Sequence, residues 1–398
     1  MSETLEEQTA TTADRLLVGE DSDQVPVLSV VLPTLNEEEG VAECIAEIKQ
    51  VIEQLEIPTE IVISDSSSDR TPEIAREMGA IVVKPDKRGY GYAYQYAFER
   101  LRGRFVAMGD ADTTYDFTEL PKLLEPIMGG EADIVIGSRF EGEIAASAMP
   151  ALHRYIGNPF LTWFLNTFYS AGVTDAHSGL RVFTRDALER LELRSEGMEF
   201  ASEMIMRAAE NGLRIREVPI TYRERRGEAK LNSFRDGWRH VKFMLVNAPG
   251  YVFTGPGIGL MAVGVLLNLL AFSPMEGVSI TPDNYYFLIS GLSLILGHQL
   301  ISLAVFSSLI DKPIRPPKDP ITQYINSNFR LEHGATLGLV MLAGAIGYLA
   351  LLVSSGAVGR PSGPSFASIS IVIFTVIVLG AQTVFYALFF SMIGQNEV

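Results

Sequence analysis

The front part of the chain, up to about residue 250, alternates between short apolar runs and amphipathic stretches. Runs such as Val27–Leu32 and Phe105–Met108 have the length and uninterrupted hydrophobicity of buried strands. Because strands that alternate with helices form parallel sheets, we predict an α/β domain with a mostly parallel, doubly wound sheet. The predicted strands are Val27–Leu32, Glu60–Ser64, Ala80–Lys84, Phe105–Met108 and Ile134–Gly137, and the predicted helices are Glu38–Leu55, Thr71–Met78 and Tyr90–Leu101.

The rest of the chain contains four long apolar segments, at about 253–272, 285–310, 334–354 and 366–393. Each reaches the roughly 20 residues with which a helix crosses a bilayer. The alternative, that the second and fourth are buried core helices, is disfavoured because four such segments follow one another. The loop between the second and third segments is the most basic, so the positive-inside rule predicts a multi-pass protein of the cell membrane with its front domain and both termini in the cytoplasm.

A basic amphipathic stretch precedes the first of these segments. Around Trp238, apolar residues alternate with Arg235, Arg239 and Lys242, which predicts a helix at the cytoplasmic membrane interface. The alternative is a surface helix packed on its own domain. The predicted organisation is an acidic, disordered tail over 1–24, an α/β domain over 25–231, the interfacial helix over 232–249 and a transmembrane domain of four helices over 250–398.

The chain carries 32 Lys and Arg against 48 Asp and Glu, a formal net charge of −16, and only 8 of the basic residues are lysines. An acidic surface poor in lysine stays hydrated in concentrated salt, which favours a halophilic protein over an ordinary acidic one. The charge argues against nucleic acid as a partner, because such proteins need a basic surface. The single cysteine, Cys44, excludes an intramolecular disulfide.

Two carboxylates follow the fourth predicted strand, one residue apart. Asp110 and Asp112 lie where ligands bind in open α/β sheets, beyond the carboxyl end of the strand. Residues i and i+2 of an extended segment project to the same side. Because carboxylate oxygens suit Mg²⁺ or Mn²⁺, we predict a divalent-cation site. The alternative is a strand that ends in an Asp-rich turn.

Three other loops at this edge contain candidate ligands. Pro33–Gly40 offers a nucleotide the backbone N–H groups of a strand-to-helix turn, although it lacks the G-x-G-x-x-G of a dinucleotide site. In Asp65–Thr71, the first carboxylate is able to accept a hydrogen bond from a base, or the later Ser and Asp residues cap the next helix. Lys84–Gly91 gathers cations and glycines where a diphosphate could approach, with a solvated basic loop as the alternative.

Taken in order, the motifs resemble those of the inverting family-2 glycosyltransferases with the GT-A fold. The chain reads P-T-L-N-E-E-E-G, D-S-S-S-D-R-T, R-G-Y-G, G-D-A-D and G-S-R, followed by D-A-H-S-G-L-R, E-V-P-I and R-G-E-A-K-L. This set spans about residues 25–250 and resembles the dolichyl- or polyprenyl-phosphate sugar synthases in particular. The four apolar segments match the branch of that family with a membrane domain. Eight motifs in this order are far more specific than any single one.

The resemblance implies roles for individual residues. Asp112 and Arg139 would be catalytic, and Asp110 and Asp112 would bind the metal and the donor diphosphate. The expected nucleotide-sugar ligands are Pro33, Thr34, Glu37, Asp65, Lys84, Arg88, Gly89, Asp110 and Ala111. The expected acceptor-phosphate ligands are Ser138, Arg139, Arg154, Arg226 and Lys230.

Two departures from the family pattern affect these assignments. Many relatives have two adjacent acids where this chain has Ser64 and Asp65. Relatives that make mannosyl lipids often carry D-A-D-L-Q, with the glutamine as a further metal ligand, and Thr114 stands at that position here. The second departure weakens the mannosyl interpretation and leaves the third metal ligand open.

The resemblance implies inverting transfer of a hexose from a nucleotide sugar to dolichyl or polyprenyl phosphate in a lipid membrane, with Mg²⁺ or Mn²⁺ as cofactor. UDP-glucose is the expected donor and GDP-mannose the alternative. A processive polysaccharide synthase usually has Q-x-x-R-W before its spans, which R-D-G-W-R at 235–239 does not match. A non-catalytic protein that binds or moves a lipid-linked sugar would not need the D-x-D pair. The oligomeric state, a homo-oligomer included, stays open.

Overall fold

The computed structural model describes residues 11–226, 233–248, 250–272, 284–310, 314, 324, 331–354 and 366–394. The chain folds into two compact units, residues 1–244 and 245–398. The first unit contains a seven-stranded sheet and the second contains long apolar helices. Both features confirm the predicted fold class.

The strands of the sheet are β1 Leu28–Thr34, β2 Thr59–Asp65, β3 Ile81–Val83, β4 Phe105–Met108, β5 Ile134–Ile144, β6 Arg181–Thr184 and β7 Ile215–Tyr222. Their order in the sheet is β3-β2-β1-β4-β6-β5-β7. Strands β1 to β4 are parallel to one another, β6 runs antiparallel to both β4 and β5, and β5 pairs in parallel with β7. The carboxyl ends of β1, β2 and β4 therefore meet at one edge.

Amphipathic helices cover this sheet. The helix that follows β1 turns Cys44, Ile48, Val51 and Ile52 into the core, at the spacing that the sequence pattern predicts. The helices of the first unit are α1 Thr12–Leu16, α2 Val41–Leu55, α3 Thr71–Glu77, α4 Tyr90–Phe98, α5 Leu120–Met128, α6 Asn158–Tyr169, α7 Arg185–Leu191, α8 Phe200–Glu210 and α9 Ser233–Val246, the last of which ends two residues beyond the unit.

Two strands of the sheet, β6 and β7, are absent from the sequence prediction. Strand β6 has only four residues and begins with Arg181, whose side chain is fully buried. Strand β7 contains Pro219 and charged residues, which weaken a strand signal. The antiparallel pairing of β6 is a tertiary feature that local patterns do not contain.

The N-terminal segment differs from the disordered tail that the sequence predicts over residues 1–24. Thr11 and Asp14 form a reciprocal cap for α1, and Ala13 is buried in the core. Val18 then donates its N–H to the carbonyl of Thr59 at 2.8 Å. The physical reason is that a short capped helix with one apolar face gains enough burial to be ordered despite its polar composition. Residues 1–10 lie outside the described part of the chain.

Among the residues described, the second unit contains four helices that are long and apolar enough to cross a bilayer, as predicted. Their backbones approach closely at glycines: a Cβ on Gly338 would lie 2.6 Å from the carbonyl oxygen of Gly380. The polar His298 accordingly faces another helix, with Nε2 3.2 Å from Oγ1 of Thr383. These helices are α10 Gly255–Phe272, α11 Asn284–Ile310, α12 Leu331–Ser354 and α13 Phe366–Gly394.

Candidate active site

A cavity of about 380 Å³ opens at the carboxyl edge of β1 and β4. It brings together residues from every predicted nucleotide and metal motif, although the motif after β2 contributes Ser66 and not Asp65. The predicted site residues that line the cavity are Pro33, Thr34, Glu37, Arg88, Gly89, Asp110, Ala111, Asp112 and Arg139.

Asp110 follows β4 and faces the buried part of this cavity. Its Oδ1 accepts a hydrogen bond from the hydroxyl of Tyr90 at 3.0 Å. Burial, and next the nearby carboxylate of Asp112, raise the pKa of Asp110 to about 7. Without a bound cation, Asp110 therefore gains or loses its proton near pH 7, where about half of the molecules carry it.

Asp112 has a partner at each of its carboxylate oxygens. Its Oδ1 accepts from the backbone N–H of Thr114 at 3.1 Å and from the Thr114 hydroxyl at 2.5 Å. Its Oδ2 lies 2.7 Å from Nη2 of Arg225, which is also 3.6 Å from Oε1 of Glu37. Thr113, which lies between Asp112 and Thr114 in the sequence, has a φ of +66°, a conformation that costs energy for a β-branched residue. This turn orients the Asp112 carboxylate.

The two carboxylates fit a divalent cation that a substrate helps to bind. Within the described residues, no group of three or more His, Cys, Asp and Glu side chains could hold a metal ion. Mg²⁺ is commonly bound by one or two carboxylates, with water and substrate phosphates as further ligands. Asp110 and Asp112 are two such carboxylates. Thr114, at the position of the family glutamine, donates its hydroxyl to Asp112 and so helps to orient that carboxylate.

The loops after β1 and β2 are tied to each other beside the cavity. The hydroxyl of Thr34 donates to Oδ1 of Asp65 at 2.7 Å, so Asp65 positions a cavity residue although it does not line the cavity. Asp69 accepts from both the N–H and the hydroxyl of Thr71, which supports the capping interpretation of this carboxylate. Lys84 is exposed and lies outside the cavity lining.

Arg139 is the predicted phosphate-binding residue that the structure places in the cavity. Its Nε and Nη2 bind the two oxygens of Asp175 at 2.7 and 2.8 Å, and its guanidinium lies 5.1 Å from the ring centre of Tyr222. A planar pair of this kind holds the guanidinium rigidly. Ser138 is buried, with its hydroxyl 2.8 Å from that of Thr174, and does not line the cavity.

The other predicted acceptor residues are not brought to the cavity. Arg226 pairs with Glu43 at 2.5 Å on the outer side of the segment, and Arg154 lies beside the ring of Tyr155. Lys230 lies outside the described residues. Arg225 takes the place expected for Arg226, because neighbouring residues of an irregular segment point in different directions.

The turn between α6 and β6 forms a wall of the cavity that the sequence analysis assigned no role. The buried Arg181 donates to the carbonyls of Ser178, Ala176 and Ala201 and so holds the turn in place. A Cβ on Gly179 would lie 2.8 Å from Oδ2 of Asp110, so a larger residue there would displace the Asp110 carboxylate. The D-A-H-S-G-L-R motif is the sequence signal from which this wall of the cavity could have been predicted.

Two histidines connect this turn to α9. The hydroxyl of Ser202 lies 3.0 Å from Nε2 of His177 and 2.8 Å from Nδ1 of His240. Burial, followed by the nearby positive charges, lowers the pKa of His177 well below its ordinary value, so its imidazole is neutral at physiological pH. His177 and His240 both line the cavity, so their imidazole rings lie in the same wall as the Gly179 turn.

Known proteins that resemble this chain identify its family. Residues 29–192 match Glycosyl transferase family 2, and residues 312–394 match the Glycosyltransferase family 2 C-terminal transmembrane region. The low-salt glycan biosynthesis hexosyltransferase Agl6 of Haloferax volcanii is 51% identical over 382 residues, 96% of this chain and 92% of that protein. The chain belongs to glycosyltransferase family 2.

Other known proteins match about half of the chain. The dolichyl-phosphate hexose transferase of Haloferax volcanii is 38% identical over 210 residues, 53% of this chain and 89% of that protein. Glucosyl-3-phosphoglycerate synthase from Mycobacterium tuberculosis, crystallised with phosphoglyceric acid, is 20% identical with a TM-score of 0.47 over 56% of this chain and 80% of that one. The predicted class of enzyme, a glycosyltransferase that transfers hexoses, is confirmed, and the chain is a membrane protein.

This family 2 enzyme also has an exposed apolar surface that the sequence analysis did not predict. It lies on α6 and the turn before it, and Tyr155 and Trp163 are 70% and 56% exposed. Soluble proteins rarely leave such residues clustered in water, and Trp and Tyr are typical of membrane interfaces. The exposed residues are Leu152, Tyr155, Ile156, Phe160 and Trp163, here called the α6 patch.

Proposed function

We propose that this glycosyltransferase moves a hexose from a nucleotide sugar to dolichyl or polyprenyl phosphate with inversion at the anomeric carbon. The observation that carries the proposal is one cavity in which the carboxylates of Asp110 and Asp112 face the guanidinium groups of Arg139 and Arg225. Such a site suits two anionic substrates, one bound through a cation and the other through arginines. The similarity to a dolichyl-phosphate hexose transferase supports the acceptor class.

The residues on each side of the cavity would have separate tasks. Asp110 and Asp112 would hold Mg²⁺ or Mn²⁺, which supplies positive charge to the departing diphosphate. Thr34 and Glu37 line the side where the nucleoside would lie, and the exposed Arg88 stands at the rim. In this proposal the donor binds to the loops after β1, β3 and β4.

The chemical step needs positioning more than proton transfer. A lipid phosphate is already anionic at neutral pH, so its oxygen attacks the anomeric carbon without a strong base. The carbon–oxygen bond to the donor diphosphate breaks, and the diphosphate takes the electron pair. Arg139, held rigid by Asp175, would orient the attacking phosphate. An α-linked nucleotide sugar thus gives a β-linked lipid phosphosugar.

Two apolar features support a lipid acceptor. The α6 patch and the exposed Trp238 of α9 suit the headgroup level of a bilayer, where a lipid phosphate lies. We propose that α9 lies at the cytoplasmic interface and that the front domain and both termini are cytoplasmic.

UDP-glucose is the donor that we propose, with GDP-mannose as the second candidate. The Thr114 hydroxyl donates a hydrogen bond to Asp112. The Thr114 side chain is also shorter than the family glutamine, which is a metal ligand in relatives that make mannosyl lipids. The cation would then depend on the donor diphosphate for its remaining ligands. In this respect the enzyme would differ from relatives that transfer mannose, in which the glutamine is a further metal ligand.

The test is transfer of labelled sugar to dolichyl phosphate by the full-length protein in detergent and high salt. UDP-glucose and GDP-mannose are compared as donors, with Asp112→Ala as the inactive control. We expect a lipid-linked monosaccharide from one donor. A polymer would instead indicate a processive synthase, and the absence of lipid-linked product from every common hexose nucleotide would reject the proposal.

A further inference from the structure

Arg225 occupies the place on Asp112 that a cation would take. The other carboxylate oxygen is bound by Thr114, so Oδ2, at 2.7 Å from Nη2 of Arg225, is the oxygen turned towards the cavity. The Asp112 side chain is 7% exposed, whereas that of Arg225 is 26% exposed. The arginine therefore approaches from the open side and closes the carboxylate off.

A cation on Asp112 and the present position of Arg225 exclude each other. A divalent ion at carboxylate-bond distance would lie only a few ångströms from the guanidinium, and like charges this close repel strongly in a partly buried site. Glu37, with Oε1 3.6 Å from the same nitrogen, is a more distant ion-pair partner of Arg225 than Asp112 is. Arg225 must swing away when a cation arrives.

The same cavity offers a new partner for the displaced arginine. Arg139 lines it too, and a phosphate there would present oxygens to both guanidinium groups. We propose that Arg225 shields Asp112 in the metal-free enzyme and passes to the acceptor phosphate when a divalent cation binds. Arg225 is then a positioning residue that couples the two binding events, an inference that rests on the proposed function for the identity of the phosphate.

This exchange sets an order of binding. The cation and donor must enter before Arg225 is available, so the acceptor phosphate gains its second arginine only in the donor complex. Linkage requires the reverse effect as well: a phosphate that attracts Arg225 must tighten cation binding. Before the cation is in place, Arg225 does not hold an acceptor phosphate in the cavity. The arriving nucleotide sugar is therefore not repelled by such a phosphate.

The first test measures Mn²⁺ binding to the full-length protein by electron paramagnetic resonance, without donor or acceptor. Removing the shielding group should tighten Mn²⁺ binding roughly tenfold in Arg225→Gln, if the shielded state is about nine-tenths populated. Arg226→Gln removes the same charge one residue away and should stay within about twofold of the wild type. Arg225→Lys, which keeps a cation in reach of Asp112, should also resemble the wild type. Arg225→Met, which is long and uncharged, should show the same gain as Arg225→Gln and replaces it if Arg225→Gln fails to fold.

The second test adds decyl phosphate, with its own Mn²⁺ binding subtracted. It should tighten Mn²⁺ binding to the wild type and to Arg226→Gln but not to Arg225→Gln. Equal Mn²⁺ affinity in Arg225→Gln and Arg226→Gln, or no Mn²⁺ binding to either, overturns the exchange. Because neither measurement uses a sugar, a failed transfer assay with a tenfold gain in Arg225→Gln would reject the proposed reaction and leave the shielding role of Arg225 established.

Discussion

The two edges of the sheet treat buried carboxylates in opposite ways. At the amino edge, Glu60 accepts hydrogen bonds from the Ser29 hydroxyl at 2.6 Å and from the N–H and Nε of Arg102 at 2.7 and 3.0 Å. At the carboxyl edge, Asp110 and Asp112 are like charges side by side, and burial raises the pKa of Asp110 to about 7. The same parallel strands thus support one carboxylate whose hydrogen bonds stabilise the fold and one pair of carboxylates whose mutual repulsion a bound cation would relieve.

The largest difference between the edges should appear in Asp112→Asn. The amide keeps the contact with Thr114 but loses the negative charge, so transfer should fall about 10³-fold, which corresponds to about 4 kcal/mol in the barrier. The melting temperature should stay within a few degrees of the wild type. Initial rates at saturating donor, together with calorimetry, check both expectations, and a variant that keeps a tenth of the activity would refute the metal assignment.

At the amino edge, we expect a substitution to reduce stability and to leave the transfer rate nearly unchanged. Glu60→Ala leaves Arg102 and Ser29 without their acceptor, and we expect a loss of about 3 kcal/mol in the free energy of unfolding. The transfer rate per folded molecule should change less than about twofold, because Glu60 lies at the opposite edge. Denaturant unfolding measures the first quantity, and the exposed Glu53→Ala is the matched control. An active-site defect in folded Glu60→Ala would break the comparison.

The raised pKa of Asp110 predicts a pH dependence of metal binding. Below about 7 the folded, metal-free protein holds a proton on Asp110 that a cation must displace, so Mn²⁺ affinity should fall as the pH drops below 7, by up to about tenfold per unit, and level off above it. Because this folded-state pKa exceeds the unfolded value, Asp110 also costs stability as the pH rises towards 7. Titration calorimetry from pH 5.5 to 8.5 tests this, and Asp110→Asn should remove the dependence.

We expect the smallest effect from Tyr90→Phe, which tests what sets the pKa of Asp110. The Tyr90 hydroxyl donates to Oδ1 of Asp110 and thereby favours the ionised form. Its loss should move the midpoint of the Mn²⁺ pH profile upward by less than about one unit, with little change in affinity above pH 8.5. A downward shift would mean that Tyr90 stabilises the protonated carboxyl instead. Tyr92→Phe, on the exposed side of α4, provides the control.

The sequence predicted the parallel part of the sheet and the place of the Asp110 and Asp112 pair, because both depend on local pattern and on where strands end. Strands β6 and β7 escaped prediction because their pairing and the burial of Arg181 depend on distant parts of the chain. The choice between Arg225 and Arg226 could not be made either, since it depends on the path of one irregular segment. The roles assigned to Asp110, Asp112 and Arg139 stay predictions until the variants are measured.

The α6 patch has a consequence for how the enzyme behaves as a colloid. With a net charge of −16, molecules repel one another in dilute buffer, which opposes association through Tyr155, Trp163 and their neighbours. In molar salt the Debye length shrinks to about 3 Å and this repulsion disappears, while excluded salts such as sulfate strengthen apolar attraction. The conditions that suit the acidic surface are thus those in which a bare patch would make molecules cluster. Lipid or detergent over α6 should therefore matter most when salt is highest.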